Sequence, residues 1–140
     1  MNRFYHHTKT LGDLGVLKAQ LDLTQKGFIV SWPLTEHAAF DLVITDQRRS
    51  RTVQVKTRSL NKSGALEVRM ESVWSNSDGV QRKRVDRAMI DIYCVYCPET
   101  DECYYVEPPS GLSTIKLRVR PPKNGQRKRI RLASDHRQVP

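Results

Sequence analysis

The sequence predicts a single α+β domain in which one N-terminal helix is followed by strands that pair as hairpins. Residues 10–27 repeat apolar side chains at helical spacing. Two later segments, 40–56 and 89–106, each place two runs of β-branched and aromatic residues on either side of a polar turn. A chain of 140 residues is long enough to bury one core. The prediction therefore treats 1–140 as one domain.

The composition is strongly basic. The chain carries 24 Lys and Arg against 15 Asp and Glu, which gives a formal net charge of +9. An excess of positive charge on a small domain favours an anionic partner, and nucleic acid is the first candidate. No apolar run approaches the roughly 18 residues of a membrane span, and the N-terminus shows no apolar signal segment. We therefore expect a cytoplasmic protein with no membrane partner.

The first element is a helix over Thr10 to Gly27. Thr10 is a candidate N-cap, with Asp13 three residues later as in a capping box. Lys26 followed by Gly27 is a typical stop signal. The helix has two stripes of side chains. The first consists of Leu14, Leu17 and Leu21, and the second of Asp13, Val16 and Gln20. We place the second stripe against the edge of a sheet.

The segment from Phe40 to Lys56 reads as a hairpin whose two strands flank five polar residues. Because side chains alternate along a strand, Gln54 and Lys56 share one face. Folding the hairpin brings Asp41 near the far end of the second strand. A carboxylate and an amide oxygen suit a hard cation, and an ammonium suits a phosphate oxygen. Asp41, Gln54 and Lys56 therefore form a candidate metal and phosphate site.

The other segments are read more briefly. Residues 28–32 predict a short buried strand, and the loop that follows carries Glu36 and His37 close to Asp41. Either residue is a candidate auxiliary group, although solvated loop positions are the commoner role. Residues 65–73 alternate loosely as a half-buried strand, 75–79 read as a turn, and 89–106 as a second hairpin.

Basic residues concentrate in two segments. The run at 82–87 is either a solvated face or a phosphate contact. The segment 116–131 is either two basic strand-like arms around a turn or a partly disordered tail, and 116–140 is the candidate C-terminal DNA-contacting segment. The candidate DNA-binding residues are Arg82, Lys83, Arg84, Arg87, Arg118, Arg120, Lys123, Arg127, Lys128, Arg129 and Arg131.

The three cysteines do not predict a zinc site. Cys94 and Cys97 have the spacing of a zinc knuckle, but no second pair follows them. On a strand, residues three apart point to opposite faces, which spoils the knuckle. We expect reduced thiols and no zinc.

Several of these segments together resemble a known family. They are Gly12-Asp13-Leu14-Gly15, Lys26-Gly27-Phe28, Pro33, Phe40-Asp41-Leu42-Val43-Ile44, Val53-Gln54-Val55-Lys56-Thr57 and Tyr93 to Val106. The pattern resembles the PD-(D/E)XK nuclease superfamily. More narrowly, it is similar to the small branch that contains group I intron-encoded homing endonucleases.

The resemblance implies a restriction-endonuclease-like αβββαβ core, with a central mixed sheet flanked by helices and a basic C-terminal extension. It also implies hydrolysis of double-stranded DNA with Mg²⁺. Mn²⁺ is expected to replace Mg²⁺, and Ca²⁺ to bind without supporting cleavage. Asp41 corresponds to the first carboxylate of the motif, Gln54 to its (D/E) position and Lys56 to its lysine. The metal ligands are then Asp41, Gln54 and the carbonyl of Val55.

The chain departs from the branch at Val16, where a helix Glu usually helps to hold the metal. Three alternatives follow: the chain is a weak enzyme, it is an inactivated variant, or Asp13 or Glu36 takes the place of the helix Glu. Because one chain carries one site, cutting both strands calls for a homo-oligomer, either a dimer or a dimer of dimers. The alternative is a non-catalytic DNA-binding module on the same fold. An RNA- or ribosome-binding protein explains the charge but not the spacing of Asp41, Gln54 and Lys56.

Overall fold

The computed structural model of the protein describes residues 4–76, 79–84, 89–109, 113–125, 128 and 130–140, with the backbone alone for 71–76 and 79–84. The predicted position Arg87, and likewise Arg127 and Arg129, lie outside these residues. No described helix is long and apolar enough to cross a membrane. The elements are α1 (His7–Gln25), β1 (Ile29–Ser31), β2 (Leu42–Thr45), β3 (Ser50–Thr57), β4 (Ala65–Arg69), β5 (Glu71–Asn76), β6 (Gly79–Arg84), β7 (Ile92–Cys97), β8 (Glu102–Val106), β9 (Thr114–Arg118) and a 3₁₀ helix (Ala133–His136).

Five strands form the central sheet in the order β1-β2-β3-β7-β8. The pair β3–β7 is parallel and the other pairs are antiparallel, so the sheet is mixed. Strands β4 and β9 form a separate antiparallel ribbon, as do β5 and β6. The restriction-endonuclease-like fold is thereby confirmed. Among the described residues α1 is the only α-helix, and β4 to β6 fill the connection where the αβββαβ order has its second helix.

The central sheet separates two apolar clusters, because side chains of β7 alternate between its faces. The α1-side cluster contains Ala19, Leu23, Leu42, Ile44, Val53, Ile92, Cys94, Tyr96, Cys103 and Tyr105. The ribbon-side cluster contains Leu66, Val68, Met70, Ile90, Tyr93, Val95, Cys97, Tyr104, Val106, Ile115, Leu117 and Ala133. The fold is thus helix on sheet on ribbon, and Cys94 and Cys97 lie on opposite faces as predicted.

Helix α1 begins one turn before the predicted start. His6 is the N-cap and its Nδ1 accepts a hydrogen bond from Lys9 N at 3.2 Å. Thr10 Oγ1 accepts one from His6 N at 3.1 Å. The assignment of Thr10 as N-cap is therefore wrong, since Thr10 instead satisfies the N–H of the true cap. Gly27, with φ of 94°, ends the helix as predicted.

The buried face of α1 consists of two small residues and one leucine, and it excludes most of the leucine stripe. Gly15, Ala19 and Leu23 are buried, whereas Leu17 and Leu21 are each 55% exposed. A Cβ at Gly15 would lie 2.0 Å from Thr57 Oγ1. The helix therefore approaches β3 so closely that only glycine fits at this position.

Strand β1 lies at the edge of the sheet and is largely exposed, so the prediction of a buried strand is wrong. Ile29 is 68% and Trp32 57% exposed. Strand β1 pairs only with β2, and no described neighbour covers its other edge. Trp32 Nε1 donates to Gln20 Oε1 at 3.0 Å, which fixes the indole beside α1.

Candidate active site

Asp41 lies immediately before β2 and is held against β3. Its N–H donates to Val53 O at 2.9 Å, and its Oδ2 accepts a hydrogen bond from Val55 N at 2.7 Å. Leu42 pairs with Val53, so Asp41 stands opposite Gln54 across the two strands. The hairpin prediction is confirmed, and it places the carboxylate beside the middle of β3.

Gln54 carries an unsatisfied oxygen. Its Oε1 is buried and has no hydrogen-bond partner within the described part of the chain. A buried carbonyl oxygen without a partner is costly, and native proteins normally satisfy it. Because Val53 belongs to the α1-side cluster, alternation turns Gln54 and Lys56 toward the other face. A cation held between this oxygen and the Asp41 carboxylate would satisfy both.

Burial and mutual attraction act against each other on the two charged groups. Desolvation raises the pKa of Asp41, and it outweighs the Val55 N–H and the charge of Lys56, which both lower it. Desolvation also lowers the pKa of Lys56, helped by the charge of Arg58 and opposed by that of Asp41. Both groups are thus partly withdrawn from water while carrying opposite charges, as is common in functional sites.

Arg58 extends the cationic side of the site, and sequence reasoning missed it. Its backbone N–H donates to Tyr96 O at 2.9 Å and its Nη1 to Thr57 O at 2.8 Å. Desolvation lowers the pKa of the Arg58 guanidinium, and the nearby charge of Arg69 lowers it further. Side-chain alternation along the strand places Gln54 and Lys56 on one face, and the next residue on that face is Arg58. This alternation is the sequence signal that could have identified Arg58.

Among the described residues, Val55 is the one remaining candidate that is hydrogen-bonded to this site, through its N–H to Asp41 Oδ2. Val16 packs against the α1-side cluster, as does Val55. Asp13, Glu36 and His37 are exposed, and no hydrogen bond or ion pair among the described residues links them to Asp41. Their auxiliary roles stay predictions.

The described basic candidates lie in three places. Arg82, Lys83 and Arg84 lie on β6, which pairs with β5. Lys128 is exposed. A cavity is lined by other members of the set, namely Arg118, Arg120, Lys123 and Arg131.

The ligands that the site offers are of the type that a hard divalent cation prefers, but they are few. One carboxylate and one orphan amide oxygen are available, and both are oxygen donors. No group of three or more His, Cys, Asp or Glu residues that could hold a metal occurs in the described ranges. The site thus offers one anionic ligand, and further oxygen donors must complete the coordination of any bound ion.

A model of the PD-(D/E)XK endonuclease family matches residues 6–139. The chain belongs to the PD-(D/E)XK endonuclease family. Nucleases of this family generally use divalent metal ions and act on DNA, which agrees with the oxygen donors of Asp41 and Gln54. No curated protein matches the chain.

Two solved structures resemble the chain to different degrees. A bacterial homing endonuclease superposes with a TM-score of 0.78 at 24% identity, covering 94% of this chain and 89% of that one. The Holliday junction resolvase Hjc of Archaeoglobus fulgidus matches at 11% identity with a TM-score of 0.41, covering 71% of this chain and 84% of that one. The first similarity shows that the two proteins share the fold.

Proposed function

We propose that the protein is a Mg²⁺-dependent endonuclease of the homing type that hydrolyses phosphodiester bonds in double-stranded DNA. The observation that carries the proposal is the buried, unpartnered Gln54 Oε1 beside the Asp41 carboxylate. Lys56 adds the positive charge that a scissile phosphate requires. The similarity to a homing endonuclease supports the same proposal.

In this mechanism the protein positions four groups, namely the Asp41 carboxylate, Gln54 Oε1, the Val55 carbonyl and the Lys56 ammonium. The Val55 N–H fixes Asp41 Oδ2, so the carboxylate is oriented before any ligand arrives, and Gln54 Oε1 is buried beside it without a described partner. With the Val55 carbonyl they would hold Mg²⁺, which supplies a Lewis acid and an acidified water when bound. The Lys56 ammonium stabilises the extra negative charge on phosphorus or orients the attacking water. Its partial burial strengthens that interaction, because the local dielectric is low.

The test is cleavage of plasmid DNA carrying a selected target, with and without Mg²⁺. We expect Lys56→Ala to lower the cleavage rate by about 100-fold or more, a typical effect for a group that stabilises transition-state charge. DNA affinity should stay within about tenfold, because the lysine acts mainly in the transition state. Lys9→Ala is the matched control, since Lys9 is exposed on the first turn of α1. Normal cleavage by Lys56→Ala would show that the site has been misplaced.

A non-catalytic DNA-binding module is the second candidate, and Val16 favours it. Valine cannot ligate a metal, which leaves Asp41 as the one carboxylate of the site. Tight, salt-sensitive DNA binding without cleavage at any Mg²⁺ or Mn²⁺ concentration would establish this candidate instead. Binding of RNA in preference to DNA would exclude both.

We also propose that the chain acts as a homo-oligomer, a dimer or a dimer of dimers. Leu14, Leu17 and Leu21 line one stripe of α1 and are 37%, 55% and 55% exposed. Their spacing is that of a helix–helix seam, which a second copy of the same stripe could cover. We expect sedimentation as a dimer or tetramer, and dissociation in Leu17→Gln but not in the control Met89→Gln. A monomer both free and DNA-bound would contradict the proposal.

A further inference from the structure

Next to the β4–β9 ribbon lies a cavity of about 770 Å³ that shares no lining residue with the Asp41 site. Six cationic side chains line this basic cavity: Lys62, Lys116, Arg118, Arg120, Lys123 and Arg131. No acidic side chain is among the lining residues. Converging like charges raise the free energy of a folded chain unless an anion compensates them.

Only one of these cations has an acidic partner within the described residues. Lys116 Nζ lies 3.6 Å from Glu67 Oε1. Arg118 is held differently, because its Nη1 donates to the carbonyl of Ser63 at 3.2 Å. Arg118 Nε is buried and has no hydrogen-bond partner in the same described ranges. An unpaired buried donor beside a basic cavity is a second and independent indication of a missing acceptor.

The loop that forms one wall is rigid before any ligand binds. Asn61 Oδ1 accepts hydrogen bonds from Ser63 N at 3.0 Å, Ser63 Oγ at 2.7 Å and Ala65 N at 3.0 Å. Gly64 O accepts from the backbone N–H groups of Val119 and Arg120, both at 3.0 Å. The loop and the strand that carries Arg118 are thus fastened to each other.

Gly64 also shapes the cavity directly. Its φ is 82°, and a Cβ there would lie 2.6 Å from the Cβ of Arg120. The side chain of Arg120 therefore lies across the glycine, which any other residue would prevent. A hydrogen-bonded wall on which the aliphatic part of Arg120 packs loses little entropy on binding, which is the property of a preorganised site.

We infer that the basic cavity is a second anion site, which holds the sugar–phosphate backbone of duplex DNA away from the bond that is cut. Guanidinium groups bind phosphate oxygens through two parallel hydrogen bonds, and ammonium groups add point charge. The inference rests on the proposed function only in taking DNA as the partner. It adds Lys62 and the Asn61–Gly64 loop to the DNA-contacting surface, and it assigns affinity rather than catalysis to the cavity.

The experiment removes two exposed cations of the cavity, Lys62→Gln with Lys123→Gln, in the full chain. The matched control, Lys9→Gln with Arg48→Gln, removes the same charge from exposed positions elsewhere. Fluorescence anisotropy gives Kd for a duplex at several salt concentrations. Each lost phosphate contact should reduce the log–log salt slope by about 0.9, so the cavity variant should lose about 1.8 and the control much less.

Steady-state cleavage separates this inference from the proposed function. We expect the cavity variant to raise KM by about tenfold or more, with kcat unchanged. Equal salt slopes for cavity variant and control would overturn the inference, as would a fall in kcat at saturating DNA. Tighter binding of an RNA hairpin than of duplex DNA, with the same loss of slope, would also overturn it. If the unchanged protein does not cleave but the slopes differ as expected, the proposed catalysis fails and the second anion site stands.

Discussion

Replacing Gly15 with alanine tests how closely helix α1 must approach the sheet. The added Cβ would lie 2.0 Å from Thr57 Oγ1, 3.4 Å from Thr57 Cβ and 3.6 Å from Val55 Cγ1. The last two distances are ordinary contacts, so the clash is with one hydroxyl. That hydroxyl donates to Leu11 O at 3.0 Å and cannot rotate away without losing this bond. We therefore expect Gly15→Ala to destabilise the fold.

The expected magnitude follows from three terms. Overpacking of a close contact costs about 1–3 kcal/mol, and loss of the Thr57 hydrogen bond costs about 0.5–1.5 kcal/mol. The higher helix propensity of alanine returns about 1 kcal/mol. The balance is a loss of about 2 kcal/mol, which should lower Tm by roughly 6–8 °C in a domain of this size.

Thermal and denaturant melts of four variants measure this effect. Gly12→Ala is the matched control, because nothing lies within 4 Å of its added Cβ; it should stabilise by up to about 1 kcal/mol. Thr57→Ala removes the clashing hydroxyl, so Gly15→Ala should become neutral or stabilising in that background. The coupling free energy of the double-mutant cycle should be about 2–3 kcal/mol, the difference between the effect of Gly15→Ala alone and its effect in the Thr57→Ala background. Equal stability of Gly15→Ala and Gly12→Ala would refute the close approach of α1 to β3.

Two further predictions concern the charges of the site. Burial raises the pKa of Asp41 above its ordinary 3.8. The favourable contribution of this group to the free energy of unfolding is therefore fully present below pH 3.8 and is lost as pH rises through the raised pKa. Asp41→Asn should therefore raise Tm of the metal-free protein near pH 7.5 while abolishing cleavage, and the gain should vanish at about pH 3; an equal gain at both pH values in thermal melts would contradict this reasoning. Val16→Glu should lower Tm in the absence of metal, because Val16 packs against the α1-side cluster and a buried carboxylate is costly. With Mg²⁺ present, this variant should cleave DNA faster than the unchanged protein. Ca²⁺ should restore part of the lost Tm by mass action. A Val16→Gln control separates charge from shape, and the absence of any metal-dependent recovery would show that position 16 does not reach the site.

The hairpins, and the placement of Asp41 opposite Gln54, could be predicted because their information is local. Alternating side chains and a polar turn specify β2 and β3, and the same alternation places Gln54 and Lys56 on one face. The orientation of α1 could not be read in this way. Its leucine stripe is the most apolar feature of the helix, yet Gly15 and Ala19 face the sheet, since close packing of the two elements requires small side chains.

Features that depend on contacts between residues distant in the chain could not be predicted from the sequence. No turn sequence predicts the pairing of β3 with β7, because two parallel strands are joined by a long crossover connection. The basic cavity joins Lys62 to Lys123 through the β4–β9 ribbon, and nothing near either lysine predicts the other. Arg58 is a different case, since the alternation along β3 that places Gln54 and Lys56 on one face also reaches Arg58.

The parallel ladder between β3 and β7 also bears on the order in which the chain folds. It joins Val53 to Ile92 across the whole segment that carries β4, β5 and β6, so its formation closes a long loop. Local hairpins form in about 1–10 μs, whereas long-range pairing must first overcome the entropy of loop closure. We therefore expect docking of β7 on β3 to limit refolding, and Val95→Ala to slow refolding in stopped-flow measurements more than Ile44→Val does, relative to the stability each loses. Strand β3, which carries the proposed site residues Gln54 and Lys56, would then reach its final geometry in the slowest step, so that a nascent chain completes the proposed site only once its interior has closed.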